Sequence, residues 1–131
     1  MENEVSVHDN ILESYLVDAK NARITFCTRY YDGEKTDVIW EGVLAYHFES
    51  DVFHSILFDI DEVEALSCFD EYRQLFDRLK NYGWPASNYQ NREELGEILA
   101  SQSIQGWRIR SSYGIEGFVW AKTCQRLSAD E

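Results

Sequence analysis

The sequence predicts an α+β fold: a mainly antiparallel sheet, made of an N-terminal four-strand meander and a C-terminal hairpin, with two helices packed on it. Three observations carry this expectation. Apolar residues alternate with period two over residues 11–48 and again over 107–121, the spacing of a half-buried strand. Residues 66–79 and 95–99 change to steps of three and four, which align side chains along one side of a helix. Short turn-forming groups, DAKN, DGEK and GIEG, separate the strands, and connections this brief join antiparallel neighbours. A length of 131 residues with 44% hydrophobic content suits one domain, residues 1–131, built on one core.

In chain order, NILESYLVD places Ile11, Tyr15 and Val17 on one parity, with Glu13 as the exception. ARITFCTRYY alternates more cleanly, with Ile24, Phe26, Thr28 and Tyr30 on one face. In TDVIWEGVLAYHFE the apolar parity is Val38, Trp40, Leu44, Tyr46 and Phe48, and Gly42 marks a bulge or the close approach of a neighbour. VFHSILFDI is apolar on both parities, as a central strand covered on both faces is. Asp61 followed by Glu64 has the spacing of a capping box, which starts the first helix. Leu66, Phe69, Tyr72, Phe76 and Leu79 then form its apolar face, and Gly83 and Pro85 end it near Lys80 to Tyr82. Asn91 and Glu94 repeat the capping spacing ahead of Leu95, Ile98 and Leu99, so a second helix runs until shortly before Gly106, with Gly96 weakening it. The chain closes with a hairpin in which Trp107 and Ile109 alternate with Arg108 and Arg110, and Phe118, Trp120 and Cys124 share a parity on the return strand.

Charge is unevenly placed. The chain has 24 acidic and 12 basic residues; residues 1–72 hold seventeen of the acids and four of the bases, and no basic side chain occurs from Thr36 to Tyr72. FDIDEVEALSCFDEY, residues 58–72, alone carries six carboxylates. Such a surface repels nucleic-acid phosphates and anionic lipid and attracts a basic partner, so neither nucleic acid nor membrane is an expected partner. No apolar run approaches the roughly 20 residues of a membrane span, and the opening MENEVSVHDN is acidic and polar rather than leader-like. A cytoplasmic protein is expected. Cys27, Cys68 and Cys124 are odd in number and lack CxxC spacing, which points to free thiols rather than a disulfide framework or a zinc site.

The residues that could carry chemistry each have a plainer role. Asp59, Asp61, Glu62 and Glu64 are of the type that ligates calcium or magnesium, but no glycine-containing loop spaces them. Helix capping and a solvated face account for them, and no metal or cofactor is expected. His8, His47 and His54 are far apart and make no HExxH pair. Cys27 with His8 or His47 would need a base in hydrogen-bond reach, which nothing in the spacing provides. Trp84, in NYGWPASNY, is either a contact anchor or a lid over the sheet edge.

HDNILESYLVD, RITFCTRY, YDGEKTDVIWEGVLAYHFE and the terminal GIEGFVWAK together resemble small acidic bacterial immunity proteins of the polymorphic-toxin and contact-dependent growth inhibition type. The resemblance covers most of the chain and lies in layout: size, acidity, meander, helices and final hairpin. It implies a cytoplasmic protein that binds one cognate toxin domain tightly, without turnover or cofactor. On that reading the toxin-binding surface is Asp51, Asp59, Asp61, Glu62, Glu64, Asp70 and Glu71, with Trp84 as apolar anchor, and complementary potential speeds capture of a basic toxin. The alternatives are a solvated helix face with no partner, a small-molecule enzyme centred on His47 or His54, and an acidic subunit or nucleic-acid mimic.

Overall fold

The computed structural model describes residues 6–85 and 89–129. Its fold is α+β, an eight-stranded antiparallel sheet with three α-helices among the described residues. β1 (Ile11–Asp18), β2 (Arg23–Arg29) and β3 (Lys35–Glu41) form a meander, and Ile24, Phe26, Val38 and Trp40 on one parity are fully buried. Alternation builds β2 and β3 as expected, whereas in β1 a register shift between Leu12 and Ser14 puts Leu12 rather than Ile11 against the core together with Val17.

The expected fourth meander strand goes elsewhere. Gly42, at φ +66°, breaks the alternation after β3, and β4 (Ala45–Glu49) pairs with β7 (Glu116–Ala121) instead. β5 (Ile56–Val63) and β6 (Gln105–Tyr113) complete that half, while β8 (Thr123–Ser128) pairs with β3. The strand order is β4-β7-β6-β5-β1-β2-β3-β8. Lys122 alone separates β7 from β8, and Gly42 to Leu44 separate β3 from β4, yet each pair sits near opposite ends of that order. Links this short force the sheet to curl until its ends meet. At the meeting corner Lys122 N donates to Glu41 O (3.1 Å) and Leu44 N to Trp120 O (2.8 Å). The predicted return strand of the C-terminal hairpin is therefore cut at Lys122 and shared between the two halves.

The curled sheet makes two leaves joined along β1 and β5 by the single register pair Ile11↔Ile56. Between the leaves lie Ile24, Phe26, Val38 and Trp40 from one side and Leu57, Ile60, Trp107, Ile109 and Val119 from the other. Side chains of alternate parity, Phe118 and Trp120, face a second cluster beneath the helices. Each large apolar side chain buried here contributes about 1.5–3 kcal/mol.

The first helix differs from the expectation at its start. Asp61 and Glu62 continue β5 opposite Arg108 and Trp107, and α1 (Ala65–Glu71) begins from an extended Glu64 that makes no side-chain cap hydrogen bond. A run of ladder hydrogen bonds satisfies more backbone groups than one cap would. The helix also breaks at Tyr72 (φ −109°, ψ 35°) before α2 (Arg73–Leu79) and a 3₁₀ turn, Lys80–Tyr82. Its apolar face survives the break: Phe69 and Phe76 are buried, and Leu66, Tyr72 and Leu79 pack against the same cluster. Gly83 ends the segment in left-handed conformation, as expected. α3 (Arg92–Ser101) is capped as read from sequence, with Asn91 Oδ1 accepting from Glu94 N at 2.8 Å.

VFHSILFDI is also corrected. Its first four residues form a loop in which Phe53 is 89% exposed, and Phe58 within β5 is 49% exposed, so this segment is covered on one face along part of its length.

One ionic contact fastens the helices to the sheet. Arg108 on β6 is the buried charged residue among those described, and its guanidinium donates to Glu71 Oε1 (2.8 Å), Glu71 Oε2 (2.6 Å), Ile109 O (2.8 Å) and Gly117 O (3.0 Å). Removing Glu71 leaves that buried cation with Glu116, whose Oε1 is 3.9 Å away, as its remaining and more distant counter-charge. Glu71→Ala is expected to lower stability by about 1–3 kcal/mol in urea unfolding, less than for a fully buried pair because the Glu71 side chain is 48% exposed. Arg108 also holds the Glu71 carboxyl below its ordinary range, chiefly by hydrogen bonding. A lowered folded pKa stabilises above the unfolded value and is lost as pH falls through the folded one. Wild type should thus lose this contribution in the acid limb of a stability–pH profile, and Glu71→Ala should lack it.

Gly117 provides a second test. It sits at φ +156°, and a Cβ there would stand 1.8 Å from His47 O across the β4–β7 ladder. Gly117→Ala is expected to cost about 2–4 kcal/mol, read as a shift of the urea midpoint.

Candidate functional site

The acids singled out from sequence do not form one free patch. Asp51 lies in the loop before β5 and accepts from the Tyr15 hydroxyl at 2.6 Å. Glu64 lies beyond the other end of β5, an eight-residue strand that spans about 26 Å at 3.3 Å per residue. Asp70 takes a two-point ion pair from Arg92, at 2.9 and 2.8 Å, and the hydrogen bond holds its carboxyl below the usual range. Glu71 is the anchor of Arg108. Trp84 is half-buried, its ring 4.8 Å from Phe76 and 6.5 Å from Phe118. It packs against the helix-side core.

Asp59 and Asp61 stand opposite Arg110 and Arg108 in the β5–β6 ladder, and Asp61 Oδ2 approaches Arg110 Nε at 4.0 Å. Asp59 Oδ1 accepts from the Ile60 backbone N at 2.9 Å. Burial, followed by the charge of Asp59, pushes the Asp61 carboxyl above its ordinary value despite Arg110 and Arg126 nearby.

Glu62 and Glu64 are different. Both are exposed, and neither takes part in an ion pair among the described residues. They stand on the rim of a groove of about 590 Å³ whose walls include Val63, Leu66, Leu99 and Ile104. The absent side chain of Gly96 leaves space for Leu66, whose Cδ1 lies 3.0 Å from where a Cβ would be. An apolar groove with two free carboxylates at its lip suits a lysine or arginine side chain, whose methylenes prefer the floor and whose charge prefers the rim.

A second depression, about 630 Å³, lies between α2 and the β4–β7 edge and contains His47, Glu49, Glu71, Tyr72, Arg108 and Glu116. His47 Nε2 is 3.2 Å from Glu49 Oε1, and its ring meets Tyr72 edge-on at 5.5 Å. Burial pushes the Tyr72 hydroxyl up to about 12, while Arg108 holds Glu71 low. Both shifts lead away from neutrality, whereas general acid–base catalysis works best with groups tuned toward the working pH. His54 lies in the exposed loop before β5 with φ +65°. Cys27 faces Ser14 and Asp37 across its ladders, and the His8 and His47 ring nitrogens bond Phe58 O and Glu49 rather than Cys27. No cluster of three or more potential metal ligands occurs among the described residues, and no described helix is long and apolar enough to cross a membrane.

Reading the acids alone missed their arginine partners. The signal was present as matching period: Asp59 and Asp61 are spaced by two, as are Arg108 and Arg110, which is what antiparallel neighbours sharing one face require.

The Asp61 shift has a testable sign. A raised folded pKa means that the ionised form costs stability above the unfolded value and that the cost is relieved as pH falls. Asp61→Asn should therefore be neutral or stabilising at pH 7, within about 0.5 kcal/mol, while Asp70→Asn destabilises. NMR titration should place the Asp61 midpoint above that of Asp70. Against known proteins, no family model matches the chain, and no curated protein or solved structure matches it.

Proposed function

We propose that this chain captures a cationic protein, and that it does so as a cytoplasmic immunity protein neutralising a cognate toxin. The observation that carries the capture is the pair Glu62 and Glu64. They remain exposed and unpaired at an apolar groove, while Asp70 and Glu71 are committed to arginines. A net charge of −12 supplies the long-range field that steers a basic partner, and the groove supplies an apolar seat at the point of arrival. That the partner is a toxin is supported by the resemblance in layout to immunity proteins.

The test uses the protein encoded by the neighbouring reading frame as analyte in stopped-flow or surface-resonance kinetics. Glu62→Lys with Glu64→Lys should slow association by about tenfold or more at low salt, the effect shrinking as salt rises. Asp70→Asn, which removes a charge already neutralised by Arg92, should change the rate much less. Equal association rates for wild type and the double variant at low salt would sink this surface as the capture site.

A further inference from the structure

We propose that Gly96 is the specificity-determining position of the groove between β5, α1 and α3, left without a side chain so that one long-stemmed cationic residue of a basic partner, an arginine or a lysine, inserts there. This rests on the capture reading above and deepens it by naming what the seat takes.

No backbone constraint asks for glycine at 96. The residue lies inside α3 with helical backbone, and in a helix interior glycine is less favourable than alanine. Close approach of main chains does not ask for it either. At Gly106 a Cβ would stand 3.0 Å from the Ala65 Cα, and at Gly117 1.8 Å from His47 O, both backbone atoms. At Gly96, outside its own helix, it would meet only the end of one side chain, Leu66 Cδ1 at 3.0 Å and Cγ at 3.9 Å. Leu66 is half-buried on the groove wall, with open space to move into. What the missing side chain leaves is volume, since Gly96 stands among Val63, Leu66, Leu99, Ala100 and Ile104 around the cavity of about 590 Å³.

Charge selects the occupant. Glu62 and Glu64 border the cavity from the strand side. On α3, Glu93 precedes Gly96 by three residues and Ala100 by seven, spacings that put all three on one side of the helix. Glu93 is exposed and takes part in no ion pair among the described residues. Arg92, the neighbouring cation, is already held by Asp70 through two hydrogen bonds. Carboxylates on both sides favour a cation, and an apolar floor favours one carried on methylenes. A compact cation or a neutral side chain satisfies one of these conditions and not the other.

The probe is n-butylguanidinium, which has the stem and charge of an arginine side chain. In methyl NMR it should move Leu66, Leu99 and Ile104, while n-butyrate, of opposite charge, should not. Gly96→Leu, which fills the space, should weaken this titration and speed dissociation of the neighbouring-frame protein, each about tenfold. Its association rate at low salt should stay within roughly twofold, because no charge has changed. Gly96→Ala should weaken both readouts in the same sense and melt no lower than wild type, which keeps the test valid should the leucine variant fail to fold. Butylguanidinium that moves none of these methyls, or binds wild type and Gly96→Leu alike, overturns the inference. So does a Gly96→Ala that melts well below wild type, since the glycine would then serve the fold. Slower association in the Glu62 and Glu64 lysine variant with unchanged dissociation in Gly96→Leu overturns this inference alone and leaves capture standing. A groove that takes butylguanidinium in a protein that the neighbouring-frame product does not bind supports the seat and removes the toxin reading.

Discussion

The guanidinium of Arg108 is the point on which the two halves of this structure depend. A cation can be buried only where its N–H groups find acceptors, and here the carboxylate comes from the last residue of α1 and the carbonyls from β6 and β7. Helix layer and sheet are thereby fixed relative to each other. The break after Glu71 has a clear role: it leaves Glu71 on Arg108, lays the Tyr72 ring 5.3 Å from the guanidinium, and starts a new helix that stacks Phe76 on Phe118 at 5.8 Å. One unbroken helix would have to satisfy both contacts along a single straight line.

The same logic extends to the charge asymmetry. The acid-rich first part of the chain finds its counter-charges in the later part: Glu71 with Arg108, Asp70 with Arg92, Asp61 with Arg110. Most of these pairs are exposed and individually contribute little to stability. Their larger consequence is to decide which carboxylates remain available. After the arginines are assigned, Glu62 and Glu64 are among the carboxylates that take part in no ion pair among the described residues, and they are the ones beside the groove of Val63, Leu66, Leu99 and Ile104.

The curl of the sheet has a different origin, connection length. A one-residue link between β7 and β8 and a three-residue link between β3 and β4 cannot span an open eight-stranded sheet, whose strands lie about 4.8 Å apart. The ends must come together, and the apolar parity of both leaves is enclosed as they do. Where the leaves separate, between β1 and the loop before β5, the enclosure fails and apolar side chains reach solvent. That seam and the Glu62–Glu64 rim lie toward opposite ends of β5.

By itself the sequence determined what depends on near neighbours. Alternation located β1, β2, β3 and β6, the step of three and four located the buried helix face, and Asn91 with Glu94 located the start of α3, because each of these signals is satisfied within a few residues. Tertiary structure alone decided the rest. Asp61 and Glu64 have the spacing of a cap, but whether they cap a helix or continue a strand depends on β6, some forty-five residues later, whose backbone and arginines offer the better partners. Trp40 and Tyr46 share an alternation that local pattern reads as one strand, yet Gly42 sends them to different leaves because β7 and β8 are waiting on either side of Lys122. Which carboxylates stay free is likewise a property of the folded chain, since ionic pairing is settled by distance in space and sequence supplies only the charges.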